Sequence, residues 1–308
     1  MMSRMMSPVS HLISGALLVA AFGSMSCKVN LTPEGMAKAY HGIKEARKDL
    51  TPENEYYVGR AVATNILAKS DYKYRDAKGF DSGKLEGMTA YINAVGNVVA
   101  MASLDIHHDS DRPTPLAGWH FVILEDSTIN AFAAPGGYIF VTMGAVEQAS
   151  NEDELAAILS HEVAHVRRGH ALGSIKKSRF AGVMKEMLDS SVELDAQALG
   201  NLAQVFDGAM DDMTDSLLVK GYSRDTEFEA DAVGLEIMIK AGYDPSAFVA
   251  YLKKLSAHQA TGSGGFSATH PKAGDRIAKL EAKVAKAPKV TVPKIRTRRF
   301  KAAVSDLE

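Results

Sequence analysis

The sequence predicts an α+β fold, mainly helical, with a small β-sheet beside one central helix, and three observations lead there. Apolar residues recur at helical spacing through most of the stretch from residue 50 to 285. Two short runs, GWHFVILED (118–126) and GGYIFVTMG (136–144), instead carry the aromatic and β-branched content of strands. Just downstream, LSHEVAHVRRGH (159–170) sets polar residues into a helical frame, two histidines four apart with a glutamate beside the first.

In chain order, Arg4 precedes HLISGALLVAAFG (11–23), an apolar run too short to span a bilayer and ending in small residues, as a secretory signal does. Export is the expectation. Cys27 is the single cysteine and has no partner for an internal disulfide. Its position, after Ser26, resembles the acylated first residue of a bacterial lipoprotein, so residues 1–27 read as a lipoprotein-type signal peptide, with membrane attachment through lipid on Cys27. Lys28 after it favours the periplasmic side of an outer membrane. Residues 28–48 read as a polar tether, and 49–287 as the folded domain.

Thr51 is placed to cap a helix that Pro52 opens, with Tyr57, Val58, Ala61 and Ile66 on its apolar side. A second helix places Leu85, Met88, Ile92, Val95 and Val99 at helical spacing. The two strands follow, with Pro135, Gly136 and Gly137 as turn residues between them. Either the Gly136–Val141 segment offers a free edge to an extended peptide, or it is internal and the glycines only turn the chain. The central helix begins at SNEDELAAIL, where Asn151 or Ser150 caps and Glu154 completes a capping box. Residues 171–220 read as Met-rich helices that could cover a cleft. A further helix spans YSRDTEFEADAVGLEIMIKAGYDP (222–245), with Ser223 near its start and Gly242 past its end. Another lies in DPSAFVAYLKKLSAH (244–258). ATGSGGFSATHP (260–271) is a loop, KAGDRIAKLEAKVAKA (272–287) the last helix, and 288–308 a basic, exposed tail. No 34-residue helical repeat is present.

Composition narrows the function. At 46% hydrophobic and 23% charged the 308 residues can bury a real core, and a net charge of −2 gives no reason to expect nucleic acid.

The chemistry gathers around the two histidines. Leu155, Ile158 and Leu159 form an apolar stripe that the polar residues continue, and buried polar groups are costly unless satisfied. His161 and His165, at i and i+4, can offer nitrogens to one Zn²⁺ while Glu162 reaches a metal-bound water. A third ligand is required. Arg168 and Ala171 stand where an H-x-x-G-x-x-H extension would need Gly and His, and His170 is out of step on a continuing helix, so it reads as structural or as support for a ligand. Glu186 lies at a suitable distance. Glu227 is the better candidate: it shares a helix face with Asp231, which could accept the second ring N–H of a ligand histidine, although the two acids also read as a solvated face that the dipole favours at a helix start.

HEVAH paired with SRDTEFEAD resembles metallopeptidase family forty-eight, the gluzincins that include HtpX, the Ste-type CAAX prenyl proteases and soluble secreted bacterial members such as BepA and LoiP. INAFAAPGGYIFVTMGAV (129–146), AGYDP (241–245), ATHP (268–271) and the helix at 50–67 are also similar to family segments, so the likeness covers residues 50–285. The resemblance implies a zincin-like domain with one zinc per chain held by His161, His165 and Glu227, and Asp231 behind them. Gly169 departs from the family, which often has Arg before the histidine at 170, and the multiple hydrophobic spans of the prenyl proteases are missing. Protein or peptide substrates are implied, with envelope proteins as the class and protein quality control as the setting.

On this reading Glu162 takes a proton from the attacking water and passes one to the leaving amine. His270, Arg224 and Tyr222 are candidate donors to the developing oxyanion, in that order. The resemblance gives His270 another role, since the matching histidine of periplasmic members can occupy the open zinc position and hold the enzyme latent. A rival function is chaperone-like binding of misfolded envelope proteins, with zinc latent or structural; the absence of Cys from the ligand set argues against it.

Overall fold

The computed structural model describes residues 52–68, 73–74, 82–108, 111–172, 208, 211, 213–259, 270 and 273–305. The signal and tether expectations, Cys27, Thr51, Glu186 and most of the segment expected to cover a cleft lie outside these residues. All described residues belong to one unit, Leu50–Phe180 with Gly208–Glu308.

Helix α1 (Pro52–Ala68) leads to β1 (Lys73–Tyr74) and α2 (Ser82–Ser103); β2 (His120–Glu125), β3 (Ala131–Ala134) and β4 (Tyr138–Thr142) follow, then α3 (Met143–Gln148) and the central α4 (Glu152–Arg167). A π-helical turn (Ser216–Lys220) precedes α5 (Arg224–Lys240), α6 (Ser246–Gln259), α7 (Ala273–Val284) and α8 (Lys294–Val304). The sheet order is β1-β2-β4-β3, with β2 and β4 parallel and the outer pairs antiparallel.

Alternation along the strands decides what the sheet packs against. Phe121, Ile123, Ala131, Ala133, Ile139 and Val141 face a large core shared with α2, α4, α5 and α6. Leu124, Phe132, Ala134 and Phe140 face the opposite way, onto Val62, Ala63 and Ile66 of α1. Because both faces are covered, β3 and β4 read as continuous apolar runs rather than alternating ones.

Of the two readings of Gly136–Val141 the internal one holds: β4 lies between β2 and β3, and β3 is an edge strand among the described residues, because the chain turns at Pro135–Gly137 and lays β3 outside β4. Two other expectations need correction. Tyr57 is 62% exposed; the buried side of α1 runs through Glu55, Val62, Ala63 and Ile66. Met88, Ile92, Val95 and Val99 are buried as expected. The basic segment is no exposed tail over 294–304. It is helix α8, with Phe300 buried, Arg299 paired to Glu152, and Arg296 2.9 Å from Asp153 Oδ1 and stacked over Tyr243. Glu152 and Asp153 are themselves buried at the start of α4, so the basic helix supplies countercharge that the helix dipole alone would not. Arg224, a candidate oxyanion donor, is more than half exposed with Asp275 at 3.7 Å, whereas His161, His165, Glu227 and His270 are buried.

Candidate active site

Helix α4 brings the first two histidines to the core because its local signals fix where it starts. Asn151 caps it by accepting from the N–H of Glu154 at 2.9 Å, and Glu154 reaches back to the Ser150 N–H at 2.8 Å. All of Glu152–Arg167 is buried, so His161, Glu162 and His165 lie well inside the protein. Helix α5 starts from Ser223, which accepts from the Thr226 N–H, and ends in a Schellman turn in which the Tyr243 N–H bonds Met238 O at 2.9 Å. Gly234 lets α5 approach closely, since a Cβ there would lie 3.2 Å from the Cα and N of His161. Glu227 and Asp231 thereby reach the α4 histidines.

The side chains converge. His161, His165, Glu227 and His270 each present a ligand atom, all within 4.8 Å of one another and all buried. The two Nε2 atoms of His161 and His165 are 3.0 Å apart, with Glu227 oxygens at 3.5 and 3.4 Å. His270 Nδ1 lies 3.0 Å from both Glu227 oxygens and 3.3 Å from His161 Nε2, while its Nε2 is 3.2 Å from Ala131 O on β3. Glu162 is fully buried beside this group, its oxygens without a hydrogen-bond partner among the described residues and 3.7 Å from His270 Nε2 at the nearest.

The opposite ring nitrogens face support. His161 Nδ1 is 3.1 Å from Asp231 Oδ1, and Asp231 is gripped by Arg276 Nε and Nη2 at 2.8 and 2.7 Å. Arg276 also sets Nη1 2.9 Å from Glu227 Oε2. Sequence reasoning passed over this arginine. The signal was its place on the buried face of α7, with Ala273 and Leu280, where an arginine needs a carboxylate partner. His165 Nδ1 meets His170 Nδ1 at 2.9 Å, and the Tyr222 ring stacks on His165 with centroids 4.3 Å apart. The Tyr222 hydroxyl reaches Ala133 O at 3.5 Å.

Electrostatics follow from burial and these partners. Burial raises the Glu162 carboxyl. For Glu227 burial also acts upward, but the His270 and Arg276 charges outweigh it and hold the group well below the usual range. Burial pushes His165 well down. For His161 burial and Arg276 act downward, yet Asp231 and Glu227 prevail and raise it to about 9. These directions describe the protein's own charges; a cation at the centre would take the place of the imidazolium proton.

Three imidazoles and a carboxylate suit a divalent metal, and zinc in particular accepts such nitrogen and oxygen donors. The buried Glu162 carboxylate, with no hydrogen-bond partner among the described residues to offset its desolvation, is what a site built for a metal and a water would leave. Residues 88–284 match the model of peptidase family M48. The chain belongs to that family. M48 peptidases depend on a metal, and the matched span runs from α2 to the end of α7, leaving α1 and α8 as flanks. The chain is 34% identical over 167 residues to the mitochondrial metalloendopeptidase OMA1 of Schizosaccharomyces pombe, covering 53% of this chain and 46% of that protein. It is 26% identical over 202 residues to the beta-barrel assembly-enhancing protease of Escherichia coli, covering 62% and 38%. A putative beta-barrel assembly-enhancing protease of Vibrio cholerae is 28% identical over 197 residues, covering 62% and 38%. The chain thus spans less than half the length of these relatives. Among the described residues no helix is long and apolar enough to cross a membrane.

Proposed function

We propose that this chain is an exported zinc endopeptidase of the bacterial envelope, acting on protein substrates in quality control. The observation that carries it is the buried convergence of His161, His165 and Glu227 with the unpartnered Glu162 carboxylate alongside. A bound zinc would supply Lewis acidity, polarising a peptide carbonyl and lowering the pKa of water. Glu162 takes a proton from the attacking water and delivers one to the departing amine; its burial-raised pKa suits both transfers. Asp231 orients His161, and Arg276 holds Asp231 and neutralises Glu227.

The free edge of β3 is the place for an extended substrate backbone. Asn130 O bonds the Thr142 N–H, so in this antiparallel ladder Ala131 and Ala133 turn their polar groups away from β4. Ala131 O accepts from His270, and Ala133 O meets Tyr222. His270 therefore occupies both a ligand position and a substrate position, which supports a latent state that ends when His270 leaves. The same residue, once displaced, or Tyr222, whose ring stacks on His165, would serve as donor to an oxyanion.

Export, lipid attachment at Cys27 and an outer-membrane address rest on the signal-like N-terminus, and the envelope setting is in keeping with relatives named for β-barrel assembly. Elemental analysis and casein cleavage test the reading: wild type should carry one zinc per chain, and Glu227→Ala should lose it together with activity. His270→Ala should raise basal cleavage severalfold; lower cleavage with zinc intact would assign His270 the donor role instead.

A further inference from the structure

Among the described residues, what faces His165 behind its ring is not a carboxylate. Its Nδ1 faces another imidazole, His170 Nδ1, at 2.9 Å, and the two rings meet edge to face at 76°. His170 in turn places Nε2 3.3 Å from Glu229 Oε2, and Glu229 is held by Arg168, whose Nε donates at 2.7 Å. The His170 side chain is 8% exposed and Glu229 42%.

Proton placement fixes the direction of this chain. His165 Nε2 points into the donor cluster and must carry no hydrogen to hold a metal, so the neutral ring keeps its hydrogen on Nδ1. Between two nitrogens only one can donate, so His170 Nδ1 accepts. Its own hydrogen then sits on Nε2 and donates to the Glu229 carboxylate. The reverse arrangement would set a bare Nε2 against carboxylate lone pairs and a hydrogen in the middle of the metal ligands. We infer that His170, oriented by Glu229, is a positioning residue that fixes the tautomer and ring angle of His165 and so tunes metal affinity; this rests on the zinc reading above.

The backbone supports the assignment. A sixth residue on a straight helix would point about 140° away from His165, from the 3.6-residue repeat. Gly169 breaks the helix with φ 64°, its N–H bonding Val166 O at 3.0 Å, and that turn carries His170 back beside His165.

The test is zinc affinity of the full chain, measured by competition against a chelator of known affinity, with the visible spectrum of the Co²⁺-substituted protein as a second readout. His170→Ala removes both links and is expected to weaken zinc binding about 10- to 100-fold, the usual size for a residue supporting a metal ligand. His170→Asn puts an amide oxygen close to where Nδ1 accepted and should recover most of that loss and the wild-type cobalt spectrum. A structural role alone would lower the thermal midpoint of metal-free protein in both variants without this rescue. Equal zinc affinity in wild type and His170→Ala, or no recovery in His170→Asn, overturns the inference alone. Folded wild type that takes up no zinc overturns the zinc reading, and this inference with it. If His170→Ala does not fold, Glu229→Gln carries the test with an expected loss of a few fold, and an unchanged affinity overturns the claim.

Discussion

His161 and His165 stand one turn apart on the same helix, but their supports differ in depth and in kind. Behind His161 lies a carboxylate that is 4% exposed, locked by an arginine that is 1% exposed. Behind His165 lies an imidazole, and the charge that anchors it, Glu229, is nearly half open to water. Coulombic attraction grows as water is excluded. The His161 flank is therefore a rigid brace whose charges need one another, while the His165 flank is a softer hold that water can partly replace.

The sharpest way to break the contrast is to remove one arginine. Arg276→Met keeps the bulk but leaves Asp231 and Glu227 buried without their cation, and should cost about 3–5 kcal/mol in metal-free protein. Zinc should restore part of this by neutralising Glu227. Denaturant titration with and without zinc measures both, and a loss under about 1 kcal/mol would remove the brace from the account. On the other flank, Glu229→Gln should change the stability of metal-free protein by no more than about 1 kcal/mol, since its pair with Arg168 is screened.

Acid separates the flanks next. Asp231, whose buried carboxyl is held down to about 2 by Arg276 and His161 against the cost of burial, contributes stability that is fully present above its ordinary value of 3.8 and is lost as pH falls toward 2. The shift corresponds to a contribution on the order of 2 kcal/mol. The difference in stability between wild type and Asp231→Asn should shrink over that window, and a difference independent of pH from 5 to 2 would contradict the pairing.

What could be read in the sequence was local. Asn151, Ser223 and Gly242 act within one turn of their own helix ends, so the start of α4 and both ends of α5 were legible, as was the spacing on those helices that suggested metal ligands. The rest depends on what approaches through space. Nothing near Arg276 in the chain announces Asp231, 45 residues earlier. Arg296 and Arg299 looked like a solvated tail because Glu152 and Asp153 looked like ordinary first-turn acids, when each set is the other's partner. Strand β3 went unread for the same reason: Ala131–Ala134 is a strand because it pairs with β4, and its short AFAA run carries little strand signal of its own.

A last contrast concerns the turn. Gly169→Ala should cost about 1–3 kcal/mol for a side chain at positive φ, and its Cβ would press on Arg112 Cγ at 3.0 Å. Its zinc affinity should fall toward that of His170→Ala if the turn delivers His170, and stay at the wild-type value if it does not.

The central claim is that Glu162 does chemistry at a metal held by others. The direct measurement is zinc content and casein cleavage, side by side, for wild type and Glu162→Gln. Unchanged zinc with cleavage reduced at least about 100-fold is the predicted result, from the usual contribution of a general base. Glu162→Gln that binds zinc and cleaves as wild type does would contradict it.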